Sequence, residues 1–234
     1  FEGSGVRCGV RSVRGAVQGV TIDPESLSTE IATIEDGAPV GLCGSGYIEL
    51  LSELLFSGLI DRQGALQPER DRDRIREGPD GPEFVLVPVE ETATDWDIVI
   101  TQADIENLIR AKGSIYSAAK VLLDRLGMTV EEIDQVYIGG GLGNHLNVEK
   151  AITIGLLPDL PAERYAFIGN SSLAGSRMFL LSRQAMGKAE EIADRMMNIE
   201  LCSEQAYMSE YVSSLFLPHT DISLFPTVKH RLGA

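Results

Sequence analysis

Two segments in the second half of the chain share one order of parts. Gln135-Val136-Tyr137-Ile138 reads as a strand, runs through Gly139-Gly140-Gly141-Leu142-Gly143-Asn144 and enters a helix over 148–154. Residues 165–168 read as a second strand, which runs through Gly169-Asn170-Ser171-Ser172 into a helix over roughly 173–185. A strand that leads through a glycine turn into a helix, twice in succession, predicts a mostly parallel α/β layer with helices packed on it. Few other folds accommodate that order, so it constrains the chain more than any other feature.

The rest of the chain reads around that layer. Runs over 6–13, 16–22 and 27–33, punctuated by glycine and Pro24, predict short strands in an antiparallel meander. Gly41-Leu42-Cys43-Gly44-Ser45-Gly46 leads into a helix over 47–60, with Ile48, Leu51, Leu54, Leu55 and Leu59 at helical spacing. The composition then shifts. Pro68-Glu69-Arg70-Asp71-Arg72-Asp73-Arg74 mixes both signs of charge, which predicts an exposed loop or short helix. Residues 83–89 and 97–101 read as strands. Thr101-Gln102-Ala103-Asp104 is a capping box that opens a long helix. Its predicted buried stripe is Ile105, Leu108, Ile109, Tyr116, Ala119, Leu122, Leu123 and Leu126, and Gly127 ends it. Residues 129–132 cap a short helix. A last helix is predicted over 203–217, followed from Pro218 by an irregular tail.

The glycine turns are the places where chemistry is expected. A glycine at a strand end lets the backbone turn sharply and approach a ligand closely. Backbone N–H groups and the helix start beyond it can cradle phosphate or ribose oxygens. Ligands of open α/β sheets bind outside the carboxyl ends of strands, where Gly139, Gly140, Gly141, Gly143 and Asn144 lie. The same residues serve equally as a tight packing turn. The spacing is neither GxGxxG nor a Walker loop. Gly169, Asn170 and Ser171 repeat the arrangement, with Asn170 or Ser171 a natural helix cap. Gly44-Ser45-Gly46 fits close helix packing or an anion site. Cys43 reads as a small core residue. Lys112 falls in register with the buried stripe, so it either snorkels to the edge or meets an anion in a cleft. His145, His219 and His230 show no ligand spacing, and no nucleophile–base pattern stands out.

Charge and cysteine content exclude several classes. Asp plus Glu total 35 against 20 Lys plus Arg, a formal charge of −15, which disfavours nucleic acid and anionic membranes as partners. The three cysteines, Cys8, Cys43 and Cys202, have no CxxC spacing. That argues against a zinc or iron–sulfur site within the chain and against a disulfide framework, and it predicts a reducing, cytoplasmic compartment. No apolar stretch reaches membrane-spanning length. The first residues, Phe1-Glu2-Gly3-Ser4-Gly5, carry no initiator Met and no leader pattern, so the chain is expected to begin inside a larger protein.

Taken together and in order, several stretches resemble one family, the reductive activators of corrinoid-dependent methyltransferases. They are Phe1-Glu2-Gly3 with Cys8-Gly9-Val10-Arg11, Gly41 to Gly46, Ile100-Thr101-Gln102-Ala103-Asp104-Ile105 with Ile109-Arg110-Ala111-Lys112, and Tyr137 to Asn144. Glu149 to Asp159, Ile168 to Gly175 and Phe216-Leu217-Pro218-His219-Thr220-Asp221 complete the set. Residues 61–81 are the least similar part.

The resemblance implies an α/β fold, part of an actin-like (ASKHA, ribonuclease H-like) ATPase lobe with a mixed sheet and flanking helices. Residues 1–234 would be its C-terminal part, with about 61–96 an insertion or exposed loop plus strand. Gly139-Gly140-Gly141 looks like the adenosine motif of that superfamily. The two acidic phosphate loops that such ATPases need are not present here. They are expected upstream of Phe1 with the magnesium site, and a 2Fe–2S domain further upstream. The implied activity uses ATP to drive an uphill electron transfer that returns an inactive Co(II) corrinoid protein to Co(I). Its partner would be a corrinoid protein or corrinoid-dependent methyltransferase, and a homodimer is left open. Two other readings stay open: an activator of radical dehydratases, which carries its own intersubunit cluster, and a non-catalytic interaction domain of the same fold.

Overall fold

The computed structural model describes residues 5–141 and 146–233. Among these, three small sheets and seven helices of the α type make a mixed α/β architecture. The first sheet has the order β2-β1-β3. β1 (Ala16–Ile22) pairs antiparallel with β2 (Thr29–Thr33), and β3 (Gly41–Leu42) joins parallel at the other edge. Helix α1 (Gly44–Phe56) lies across β1. Gly46 permits the approach, because a Cβ there would stand 2.1 Å from the Val17 carbonyl oxygen. The packing reading of Gly44-Ser45-Gly46 is therefore the one the structure realises.

Residues 6–13 do not form the expected strand. They make turns with a single bridge from Gly9 to Leu42. Hydrogen bonds to distant segments hold them instead: the Arg7 N–H donates to Asp104 Oδ1 at 3.1 Å, and the Val99 N–H donates to Cys8 Sγ at 3.4 Å.

The second sheet is antiparallel, in the order β4 (Ile75–Gly78), β5 (Gly81–Val87), β6 (Ile98–Thr101). The charged run 68–74 makes largely exposed turns, in keeping with the expected loop, and β4 follows it directly. Arginines just before and within β4 have partners. Arg74 donates to Thr29 Oγ1 and to the Leu27 carbonyl, both at 2.6 Å, and its guanidinium stacks 4.8 Å from the Phe84 ring centre. Arg76 and Arg7 both pair with Glu83, a carboxylate only 1% exposed.

Helix α2 (Gln102–Leu126) follows the predicted signals at both ends. Thr101 Oγ1 accepts from the Asp104 N–H, Asp104 Oδ2 accepts from the Thr101 N–H, and Gly127 ends the helix with φ 65°. Its N-terminal half is buried at Ile105, Leu108, Ile109 and Tyr116. The predicted stripe fails beyond that point. Ala119 is exposed, Leu122 is 39% exposed and Leu126 64%, lining an open apolar groove with Val130, Ile133 and Val136.

The third sheet has two parallel strands among the described residues, β7 (Val136–Gly139) and β8 (Tyr165–Gly169), joined through α3 (Val148–Thr153). The mostly parallel layer is thus confined to this pair and to β1–β3, and the other pairings are antiparallel. The helix expected over 173–185 is two helices, α4 (Ser171–Leu181) and α5 (Arg183–Ala193). Ser182 breaks them with extended φ/ψ and accepts from the Ala185 N–H to cap the second. α6 (Gln205–Ser213) is shorter than predicted and packs along α2. The tail is not irregular throughout. α7 (Pro226–Leu232) starts with proline in its first turn and ends at Gly233, φ 65°.

Burial divides into two clusters. The larger joins β1, α1, β5, β6 and the first half of α2. The smaller gathers Tyr116, Ile152, Leu160, Tyr165, Phe225 and Val228 beneath the β7–β8 pair. In contrast α4 and α5 bury no side chain, and Leu180 (87%) and Leu181 (76%) face outward.

Candidate functional site

The two glycine turns meet. β7 and β8 run parallel with Gly139 opposite Gly169, and the Gly140 N–H donates to the Gly169 carbonyl at 2.8 Å. A Cβ on Gly139 would lie 3.2 Å from Ser171 Oγ, so the first residue of α4 packs directly under the β7 turn. Gly140 (φ 98°) and Gly169 (φ 64°) adopt the left-handed conformation that lets both strands end at one level. Asn170 Oδ1 accepts from the Leu173 N–H at 2.9 Å and caps α4, as its position predicts.

Six predicted residues therefore converge at the carboxyl ends of two parallel strands: Gly139, Gly140, Gly141, Gly169, Asn170 and Ser171. Among the described residues, a Cβ at Gly140 or Gly141 would meet nothing within 4 Å. The turn needs its first glycines for backbone shape, and the space in front of it is open. Such a surface offers backbone N–H groups, an asparagine and a hydroxyl. It can hydrogen-bond a polar, uncharged group and admit a flat one. Gly143 and Asn144 lie outside the described residues.

Lys112 belongs elsewhere. It is wholly buried, and its Nζ donates to the Pro218 carbonyl at 2.6 Å and to the Phe216 carbonyl. It neither snorkels to solvent nor joins the glycine turns, and it pins a strap of chain over 216–220 to α2. Arg62 pins the same strap from the other side, donating through Nε to the Leu217 carbonyl at 3.1 Å and through Nη2 to the His219 carbonyl at 2.5 Å. Burial pushes the Lys112 pKa down to about 7. His219 makes its own anchor: its Nδ1 accepts from the Asp221 N–H, and its Nε2 faces Glu210 Oε1 at 3.1 Å. The Nδ1 acceptor role assigns the proton to Nε2, which then donates to Glu210.

Cys43 is a core residue, 1% exposed, with Sγ 3.3 Å from the Val17 carbonyl and 3.2 Å from Ser45 Oγ. Cys8 is buried as well. Among the described residues no group of three or more His, Cys, Asp or Glu side chains could hold a metal ion, and no helix is long and apolar enough to cross a membrane. One set of polar residues escaped the sequence reading. Glu49 and Glu53 interrupt the apolar α1, and their spacing of four was the available signal. Both turn toward α3.

Known proteins share this architecture. A family model described as the C-terminal domain of RACo, the ASKHA domain, matches residues 1–229. The corrinoid activation enzyme RamQ of Eubacterium limosum is 29% identical over 220 residues, 91% of this chain and 37% of the relative. A [Co(II) methylated amine-specific corrinoid protein] reductase of Methanosarcina barkeri is 26% identical over 196 residues, 83% of this chain and 32% of its own. A solved structure of a reductive activator for corrinoid,iron-sulfur protein is 47% identical and superposes with a TM-score of 0.92. That match covers 97% of this chain and 36% of the solved one. The chain thus spans about a third of the length of these relatives. With a family model matched over almost its whole length, on a mixed α/β fold whose two glycine turns meet at parallel strand ends, the chain belongs to the family of RACo C-terminal ASKHA domains.

Proposed function

We propose that residues 1–234 form the adenosine side of a nucleotide site in a longer protein that uses ATP to return an oxidised corrinoid protein from Co(II) to Co(I). The observation that carries this reading is the convergence of Gly139–Gly141 with Gly169–Ser171 at the ends of β7 and β8, with open space before Gly140 and Gly141. The site offers neutral hydrogen-bonding groups and lacks a cationic side chain among those six residues, which suits a nucleoside better than a triphosphate. The phosphates and magnesium would be held by acidic loops outside this chain, and the electron would come from a 2Fe–2S cluster on a further domain. Binding at the turn would close the lobes and shift affinity for the corrinoid protein, since both ligands bias one equilibrium. The relatives named above as corrinoid activators and reductase support this choice of partner. The burial of Cys8 and Cys43 in packed core favours it over an activator that carries its own cluster.

Gly141→Val in the longer protein tests the turn. Gly141 does not have a positive φ, and its Cβ direction is empty, so the fold tolerates the change. Affinity for ATP should fall about tenfold or more, ~1.4 kcal/mol per factor of ten, while circular dichroism and the melting temperature stay put. Wild-type affinity in a folded variant would show that the nucleotide lies elsewhere.

The chain by itself, residues 1–234, should turn over ATP negligibly in a steady-state assay with magnesium, because it carries no acidic phosphate loop to place the metal and the attacking water. Turnover comparable to that of the longer protein would mean that a carboxylate within these residues serves catalysis.

A further inference from the structure

The face of α1 that turns away from its own core is not a solvent face. Glu49, Glu53 and Phe56 recur at i, i+4 and i+7 and form one seam along the helix. Each meets a later helix or the segment that opens it. Glu49 lies beside Asn147. Asn147 in turn caps α3, its Oδ1 accepting from the Lys150 N–H at 3.3 Å. Glu53 Oε1 pairs with Lys150 Nζ, and Glu53 Oε2 accepts from the Ile22 N–H at 2.7 Å. Arg231 of α7 stacks 4.0 Å from the Phe56 ring centre and pairs with Glu149 of α3. Glu53 is 6% exposed, so a single buried carboxylate ties together β1, α1 and α3.

An ion pair with one buried and one half-buried partner is a poor choice if the only need is to hold two helices together. Apolar residues of similar volume do that at least as well, because the charges must be stripped of water first. What such a pair adds is one register: shift α3 along α1 and a charge is left uncompensated. α3 also packs beneath the strands that carry the glycine turns, Ile152 and Val148 sharing one cluster with Val136 and Ile138 of β7 and Tyr165 of β8, so its register bears on where those strand ends stand.

We propose that Glu53 and Lys150 are positioning residues for the glycine turn, fixing α3 against α1 so that a ligand at Gly139–Gly141 is felt by the β1–α1 unit. The inference rests on the nucleotide reading of the turn given above, and adds the route by which occupancy would leave the site.

The test uses the longer protein, a fluorescent ATP analogue for affinity, and hydrogen exchange over residues 16–22 with and without a non-hydrolysable ATP analogue. Glu53→Gln keeps the side-chain size and an acceptor for Ile22 but removes the charge that fixes Lys150. It should bind nucleotide about tenfold more weakly at temperatures well below its melting point. It should also lose the nucleotide-dependent protection of β1 that the wild type shows. Lys150→Arg, which keeps the charge, should stay close to wild type in both readouts. A merely structural pair would lower the melting temperature and leave affinity and β1 protection unchanged in the folded variant, and that result overturns the proposal. If Glu53→Gln does not fold, Glu49→Gln carries the test from the milder end of the seam, with a weaker loss expected and wild-type affinity again overturning it. A wild-type protein that binds no nucleotide would instead remove the reading of the turn, and this inference with it.

Discussion

Gly155→Ala should be among the most destabilising single-methyl changes in this chain. Gly155 follows α3 with φ 74°, a conformation that costs an L-residue about 1–2 kcal/mol. Its Cβ would stand 2.1 Å from the Pro218 carbonyl oxygen, 2.8 Å from its carbonyl carbon and 2.9 Å from its Cα. All three are backbone atoms, so no side-chain rotation relieves the overlap. Nor can the strap move aside, because Lys112 and Arg62 hold the carbonyls of residues 216–219 from both sides. Overpacking of this kind adds about 1–3 kcal/mol, for a total of roughly 2–5 kcal/mol. At about 2–4 °C per kcal/mol, the melting temperature should fall by roughly 4–20 °C. Gly175→Ala is the matched control. It lies within α4, has no positive φ, and its Cβ direction is empty, so it should be neutral or slightly stabilising. Equal melting temperatures for the two variants would show that the strap is not fixed where the structure places it.

Lys112→Met should cost about 3 kcal/mol, by a different mechanism. The methionine fills the space but leaves the Phe216 and Pro218 carbonyls buried without a donor, at about 1–3 kcal/mol each. The lysine also gives a pH signature. Its folded pKa, about 7, lies below the ordinary 10.5 because burial disfavours the ammonium. Between those values the unfolded chain holds a proton that the native state has released, so stability from this group rises with pH. The neutral amine keeps two N–H groups, enough for both carbonyls. The stability gap between wild type and Lys112→Met should therefore widen from pH 7 to pH 10, with a slope of at most about 1.4 kcal/mol per pH unit. Denaturant titrations at several pH values would measure it, and a gap that is flat or narrows would show that the lysine stays charged in the fold.

Both predictions concern residues whose roles were not legible in the sequence. Lys112 was in register with a buried stripe, which left a choice between snorkelling and an anion. Its partners are carbonyls more than a hundred positions away, and nothing in the local pattern points to them. β4 was missed for a related reason. Its four residues mix charge with a single buried apolar side chain, and what holds them is distant: Arg74 beside the strand reaches Thr29 and Phe84, and Arg76 within it reaches Glu83. α7 was hidden by its shortness, since seven residues give too little periodicity to count. The break at Ser182 is legible in principle, because serine is a good cap, but residues on both sides of it have good helix propensity, which masks it.

What the sequence determined by itself is what neighbouring residues decide. Thr101 with Asp104 opened α2 and Gly127 closed it, because both signals act within one helical turn. Val136–Gly139 and Tyr165–Gly169 were readable as strands entering helices, and the glycines marked where the backbone had to turn. The tertiary structure alone decided that the two turns share one level, joined by the Gly140–Gly169 hydrogen bond. It alone decided that Lys112 serves the strap and not the turn, and that Glu53 reaches β1 and α3 at once. Capping and periodicity are short-range and survive in the sequence as spacing. The choice of partner for a buried charge depends on which distant segments the fold brings within about 3 Å of it, and no spacing records that.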